Sequence, residues 1–400
     1  MKIISGGVCA PIGFKASGVH CGIRKNKTKK DLALIVSDIQ ANAAAVYTTN
    51  LVKGTPLVVT KNNLNDGKAQ VIICNSGNAN TCNANGIEIA ENMCKLISAE
   101  LGINETDVIV GSTGVIGQPL DIEPIKNGIP SLVAGLDSNG SQSAAEGIMT
   151  TDTKLKEIAI EFDIDGVTCR IGGIAKGSGM IHPNMATTLS FLFTDAKISK
   201  KALEKAFRAA VEKSFNSITV DGDMSTNDST FLISSGLAGN KEISGNGDDY
   251  RLFAKAVEIT ACTMAKSIVQ DGEGATKLVE IYVKNAKTEK EAKQVAMSVA
   301  TSCLVKTAFY GEDANFGRIL CAVGYCGVDF KPTKLKLYFD NLLLFKNGEP
   351  TSFNEAEAAQ ILKKDSFKVI IDLDKGSKSW SVWTSDLSHE YVRINADYRS

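Results

Sequence analysis

Apolar residues recur along this chain with two different periods. Runs such as Gln70–Cys74, Glu157–Phe162, Thr188–Phe193, Lys277–Val283, Leu335–Phe339 and Phe367–Asp372 are short and rich in β-branched and aromatic residues, which predicts strands. Pro56–Thr60 and Tyr391–Ile394 fit the same template and are expected as strands too. Elsewhere the spacing is three and four: Ile89, Met93, Leu96 and Ile97 share one face of a helix over Ile87–Leu101, and Leu203, Phe207, Ala210 and Val211 do so over Lys200–Phe215. Asp248–Val269 and Thr288–Ala308 read as longer helices of the same kind. The dipeptides Asp165-Gly166 and Asn347-Gly348 signal antiparallel hairpins. The expected fold class is therefore α+β in mixed layers rather than a doubly wound parallel sheet.

Composition narrows the partners. With 44 basic against 45 acidic residues there is no field to attract nucleic acid or an anionic membrane, so small molecules are the expected ligands. No run approaches the roughly 20 apolar residues of a spanning helix, and Met1-Lys-Ile-Ile-Ser-Gly-Gly lacks a signal-peptide apolar region; a cytoplasmic location is expected. The ten cysteines sit among apolar or small neighbours and read as buried thiols in a reducing compartment. Cys321 and Cys326 have neither a second pair nor a nearby histidine, and His20, His182 and His389 stand outside any triad or ligand spacing, so no metal is expected.

The chemistry concentrates in Ala175-Lys-Gly-Ser-Gly-Met-Ile-His-Pro-Asn-Met-Ala-Thr187. A phosphate-loop reading fails on order, because Lys176 precedes its glycine and the segment runs into His182-Pro rather than a helix. A threonine before Thr188-Leu-Ser-Phe-Leu-Phe ordinarily just starts a strand. The alternative is that cleavage before Thr187 frees an α-amine able to act as base for its own hydroxyl, with the glycines letting the backbone bend toward attack on the Ala186 carbonyl. Gly111-Ser-Thr-Gly-Val-Ile-Gly117 reads as a strand-ending turn. Asp221-Gly-Asp-Met-Ser-Thr-Asn-Asp228 opens like a calcium loop but has Thr226 where glycine belongs and Leu232 where the last acid belongs; its role stays open. Cys74–Gly86, with five asparagines, reads as a polar loop capping the helix after it.

From Gly6-Gly-Val-Cys-Ala-Pro-Ile-Gly-Phe14 to Tyr391-Val-Arg-Ile-Asn-Ala-Asp-Tyr-Arg-Ser400, and through the glycine-rich motifs between them, the chain resembles the bifunctional glutamate/ornithine N-acetyltransferases of arginine biosynthesis. The resemblance implies a self-cleaving N-terminal threonine enzyme with a layered α/β sandwich of the ornithine acetyltransferase/DmpA-like type. It implies cleavage between Ala186 and Thr187 into an α chain, residues 1–186, and a β chain, residues 187–400, assembled as a heterotetramer of two of each. Acetyl would pass from N2-acetyl-L-ornithine to Thr187 and then to L-glutamate, with no cofactor and with acetyl-CoA as a further candidate donor. Thr113 and Gly114 would form the oxyanion hole. Thr150, Lys176, Thr187, Glu273, Asn395 and Ser400 would bind substrate, the lysine and hydroxyls suiting a carboxylate and the glutamate an ammonium. The chain departs from the family at Thr188, where methionine is usual, at Gly311–Arg318, and at Ser400, which replaces a frequent threonine. Two other readings stay open: an N-terminal-nucleophile amidohydrolase or aminopeptidase of similar fold, and an uncleaved binding protein.

Overall fold

A computed structural model describes residues 1–182 and 188–397 and divides them into two compact units. The first holds residues 1–177, 188–216 and 224–268; the second holds Ser178–His182, Ser217–Asp223 and residues 269–397. Neither unit follows the expected chain boundary, because residues from both sides of it build the first.

The first unit is organised by a nine-stranded sheet. Across it run Lys2–Ile4, Lys156–Ile164, Val167–Lys176, Leu189–Thr194, Ser229–Ser234, Leu32–Tyr47, Lys68–Asn78 and Val108–Val115, with Phe14–Val19 also on Leu32–Tyr47. Its strands are apolar on both faces. Leu32, Leu34, Val71, Ile73, Val108 and Val110 pack with the helices Gly86–Leu101 and Ile122–Ala134, whereas Ala33, Ile35, Ile72, Cys74 and Ile109 join the opposite core with Phe191, Phe193 and Phe231. Period-two alternation with both faces buried gives the continuous apolar runs seen in the sequence.

One strand pair flanks the expected cleavage point. Val167–Lys176 lies antiparallel to Leu189–Thr194, with Lys176 opposite Leu189. The connection between them, residues 177–188, contains the Ala186–Thr187 bond.

The second unit has a seven-stranded sheet in the order Glu349–Pro350, Leu342–Lys346, Lys336–Phe339, Ser366–Asp372, Leu278–Ala286, Lys378–Ser385 and Ile218–Thr219. Val279, Ile281 and Val283 face a core shared with Ala292, Val295, Ala296 and Val299 of the helix Glu289–Ala300. The other face is polar: Glu280 accepts from Ser381 at 2.6 Å and pairs with Lys368 at 3.0 Å.

The layered α+β reading holds, and so do the two hairpins. Three expected elements are corrected. Pro56–Thr60 lies in a helix, Thr55–Asn63, where Pro56 occupies an initial position that needs no N–H and Thr60 bonds both the N–H and the carbonyl of Val110. Tyr391–Ile394 belongs to the helix His389–Ala396, capped by Ser388 accepting from the Glu390 N–H. Thr288–Ala308 is two helices, Glu289–Ala300 and Cys303–Tyr310, because Ser302 caps a new start. All ten cysteines are free, and Cys82, Cys303 and Cys321 are exposed rather than buried.

Candidate active site

Thr113 and Gly114 end the strand Val108–Val115, which runs parallel to Lys68–Asn78 with Ser76 beside Thr113 and Gly77 beside Gly114. Gly114 has φ of 133°, and a Cβ there would lie 2.3 Å from the Gly77 carbonyl carbon and 2.6 Å from the Asn78 nitrogen. No side chain fits, so the glycine is required by both conformation and space. The Thr113 hydroxyl accepts from the Lys176 ammonium at 3.4 Å, which leaves its own proton to be donated.

Lys176 also acts electrostatically on Asp152. Asp152 Oδ1 accepts from the Gly177 N–H and the Lys156 ammonium, each at 2.7 Å, and Oδ2 accepts from the Thr150 N–H at 2.9 Å. The side chains of Asp152 and Lys156 are 0% and 1% exposed. Burial by itself would raise the Asp152 pKa, but the charges of Lys176 and Lys156 and the Gly177 N–H outweigh it and hold the carboxyl well below the usual carboxylate range. Asp152 thus bonds the Thr150 backbone and feels the charge of Lys176, two expected site residues. Sequence reading misses it although it stands in the run Thr150-Thr-Asp-Thr, because a lone aspartate announces no partner.

A second buried carboxyl in this unit behaves oppositely. Burial pushes Asp228 well above the ordinary range, despite hydrogen bonds from Ser225 and the charge of Lys176, and its Oδ2 has no hydrogen-bond partner. Asp228 precedes Ser229, whose N–H donates to the Thr188 carbonyl at 3.0 Å.

The asparagine-rich stretch is only in part the expected polar loop. Residues 74–78 are strand; Asn75, Asn78 and Asn80 are buried, and Asn85 makes no side-chain cap bond. Asn75 accepts from Ser112 at 2.6 Å and donates to the Asn78 carbonyl at 3.0 Å. Asn227 donates to the Ala79 and Ser112 carbonyls and accepts from Thr81 and Thr226, so a residue of the Asp221–Asp228 segment braces the strand ending in Thr113-Gly114. Buried amides satisfied in this way fix backbone position.

In the second unit, Glu273 is buried and its Oε2 accepts from Asn395 Nδ2 at 2.8 Å, which brings together two expected site residues. Its N–H donates to the Ser178 carbonyl at 3.0 Å. A Cβ on Gly179 would lie 2.3 Å from Oε2 and 2.4 Å from the carboxyl carbon, so this glycine makes room for the carboxylate. Ser388 donates to the Gly274 carbonyl at 2.6 Å while capping the helix that carries Asn395. Asp386 accepts from Thr276 and Lys277 N–H groups and from the Thr276 hydroxyl. Buried Lys306, lowered by desolvation to about 8, donates to Thr384 and Ser385 and fixes the preceding strand end.

His182 is half-buried and bonds Thr219 at 3.2 Å; burial lowers its pKa despite Asp221 and Asp223. Ala186, Thr187 and Ser400 lie outside the described residues. Among the described residues no group of side chains could hold a metal ion, and no helix is long and apolar enough to cross a membrane.

The chain matches the model of the ArgJ family over residues 15–400. It is 47% identical over 405 residues, covering all of both chains, to the arginine biosynthesis bifunctional protein ArgJ of Caldanaerobacter subterraneus subsp. tengcongensis. It is 48% identical to the protein of that name in Geobacter sulfurreducens, over 97% of this chain and 99% of the other. A crystal structure of the Bacillus halodurans ArgJ protein superposes with TM-score 0.51 at 42% identity, covering 52% of this chain and 98% of that one.

The geometry sets two expected outcomes. Asp152→Asn removes the counter-charge of the buried Lys156 ammonium and is expected to cost about 3–5 kcal/mol of stability, measured by urea unfolding at pH 7. Because folding depresses the Asp152 pKa, its contribution is full above the unfolded carboxylate value and is lost as the pH falls toward the folded one; the variant's deficit should therefore shrink in acid. Gly179→Ala should displace the Glu273 carboxylate and weaken L-ornithine binding about 10–100-fold by calorimetry. Unchanged affinity would remove Glu273 from ligand binding.

Proposed function

The chain belongs to the ArgJ family, and from that premise we propose that it is a glutamate N-acetyltransferase of arginine biosynthesis, taking acetyl from N2-acetyl-L-ornithine through a covalent acetyl-Thr187 intermediate. The observation that carries this reading is the Thr113-Gly114 strand end. A hydroxyl already accepting from an ammonium, next to a backbone amide that no side chain shields, is a pair of preorganised donors suited to an oxyanion.

Maturation comes first. Cleavage between Ala186 and Thr187 gives Thr187 a free α-amine, which takes the hydroxyl proton as the oxygen attacks the acetyl carbonyl. Thr113 and Gly114 stabilise the tetrahedral oxyanion. The C–N bond breaks, the departing ornithine nitrogen receives the proton from the α-amine, and L-ornithine leaves. The amine of L-glutamate then attacks the ester, regenerating Thr187 and releasing N-acetyl-L-glutamate. Lys176, Thr150 and Ser400 suit the amino-acid carboxylate, and Glu273 with Asn395 suits an ammonium.

The antiparallel pairing of Val167–Lys176 with Leu189–Thr194 supports continued association of the two chains, since cutting the connection leaves the ladder intact. The half-length match to the Bacillus halodurans chain accords with such a division. We assign the mature enzyme two chains of each kind and a cytoplasmic location.

Incubated with N-acetyl-L-ornithine alone, the processed enzyme should release about one ornithine per Thr187 and stall, with a fragment beginning at Thr187 carrying one acetyl by mass; L-glutamate should restart turnover. Sustained release without acceptor would favour the amidohydrolase. Acetyl-CoA in the same assay decides whether a thioester also loads Thr187. Thr113→Ala should slow transfer about 10²–10³-fold, the usual effect of losing one oxyanion donor; a processed variant within a few-fold of wild type would return Thr113 to a turn residue.

A further inference from the structure

Within the Asp221–Asp228 segment, Asp221 makes contacts that the proposed transfer chemistry does not use. It follows the strand Ile218–Thr219 and is a fourfold acceptor. Its Oδ1 accepts from the Ile181 N–H at 2.9 Å and the Asp223 N–H at 3.2 Å; its Oδ2 accepts from the Met180 N–H at 2.6 Å and the Tyr391 hydroxyl at 3.2 Å. The other side of the Ile181 residue is also pinned, its carbonyl accepting from the Val220 N–H at 2.8 Å and the Thr219 hydroxyl at 3.1 Å. Ser178 is tied at both ends as well, its hydroxyl to the Asp271 carbonyl and its carbonyl to the Glu273 N–H.

Between these anchors Met180 has φ of 55°, a left-handed conformation that costs a residue with a side chain and persists where its surroundings impose it. The Asp221 bonds to Met180 and to the residue after it supply that imposition. A connection serving only as a loop has no need of such restraint. The restrained stretch ends at Ile181, five residues before Ala186.

We propose that Asp221 is the positioning residue for self-cleavage, fixing the backbone of Met180 and Ile181 and so setting the direction in which the chain enters the Ala186–Thr187 bond. The inference rests on the proposed maturation at that bond. In the step it serves, the Thr187 oxygen bonds to the Ala186 carbonyl carbon, the C–N bond breaks, and the hydroxyl proton passes to the Thr187 nitrogen. Water then hydrolyses the ester, leaving an Ala186 carboxylate and a free Thr187 hydroxyl. Such an internal shift depends on approach geometry, and a displacement of about 1 Å can cost about 100-fold. Tyr391 is a steady donor to the clamp, because burial and the Asp221 charge keep its hydroxyl protonated.

The test follows full-length chain made by pulse-labelled cell-free translation, with the cleaved fraction read on denaturing gels and the new termini by mass. Asp221→Asn keeps the volume but turns one acceptor oxygen into a donor facing other donors. Its cleavage half-time should lengthen about 10–100-fold, while transfer activity per cleaved chain stays within about threefold of wild type. Tyr391→Phe leaves both backbone bonds and should mature within about threefold of wild type. Should Asp221→Asn fail to fold, Asp221→Glu, which retains charge but shifts the oxygens by a methylene, is expected to show the same delay. Normal maturation of the Asp221 variant, or an equal delay in Tyr391→Phe, would overturn the proposal, the latter because the effect would then run through the C-terminal helix. Wild-type chain cut elsewhere, or not at all, would instead sink the underlying maturation reading.

Discussion

A buried anion sets the terms for one end of the first unit's sheet. The Asp152 side chain has no access to water, and a carboxylate in that position survives as an ion because the Lys156 ammonium and two backbone N–H groups bond it and the charge of Lys176 adds to them. Each of those partners is thereby fixed. Lys156 and Gly177 belong to the same open end of the hairpin formed by Lys156–Ile164 and Val167–Lys176, where Lys156 pairs with Ala175, and Thr150 lies just before it. The ion consequently holds the end of the strand from which the processing connection departs, and with it the lysine that reaches Thr113.

Asp228 shows how much depends on partners rather than on residue type. Both carboxyls are buried in the same unit and both feel Lys176, yet one is driven below the ordinary range and the other above it. The difference is a second lysine and donors on both oxygens, whereas Asp228 Oδ2 has none. The two environments push the carboxyls in opposite directions. The amides of Asn75 and Asn227 hold strand ends together by satisfied buried bonds to Ser112, the residue before Thr113.

Secondary structure was legible where burial is one-sided or uniform. Ile87–Leu101 and Lys200–Phe215 present a single apolar stripe, and the core strands present unbroken β-branched runs, so period alone identified them. It failed where a local signal competed. Thr55–Asn63 carries Val58 and Val59, which argue for a strand, but the proline at its start and the docking of Thr60 on Val110 decide for a helix. The long strand Leu32–Tyr47 escaped notice because its second half is alanine-rich and polar, and a register shift between Val36 and Ala41 interrupts its pairing with Lys68–Asn78.

The sequence by itself determined the family and the α+β class, because motif spacing and apolar period are properties of the linear chain, and the resemblance it carries named the candidate site residues. Tertiary structure decided what holds those residues. Asn227 and Asp221 act through partners distant along the chain, 146 positions for Asn227 and Thr81 and 170 for Asp221 and Tyr391, and Asp152 draws in the N–H of Gly177 from just past the end of the neighbouring strand. Hydrogen bonds and charge pairs depend on distances of a few ångströms in space, which linear order does not encode. The same holds for the glycines: that Gly114 and Gly179 are obligatory comes from a backbone and a carboxylate brought against them by folding.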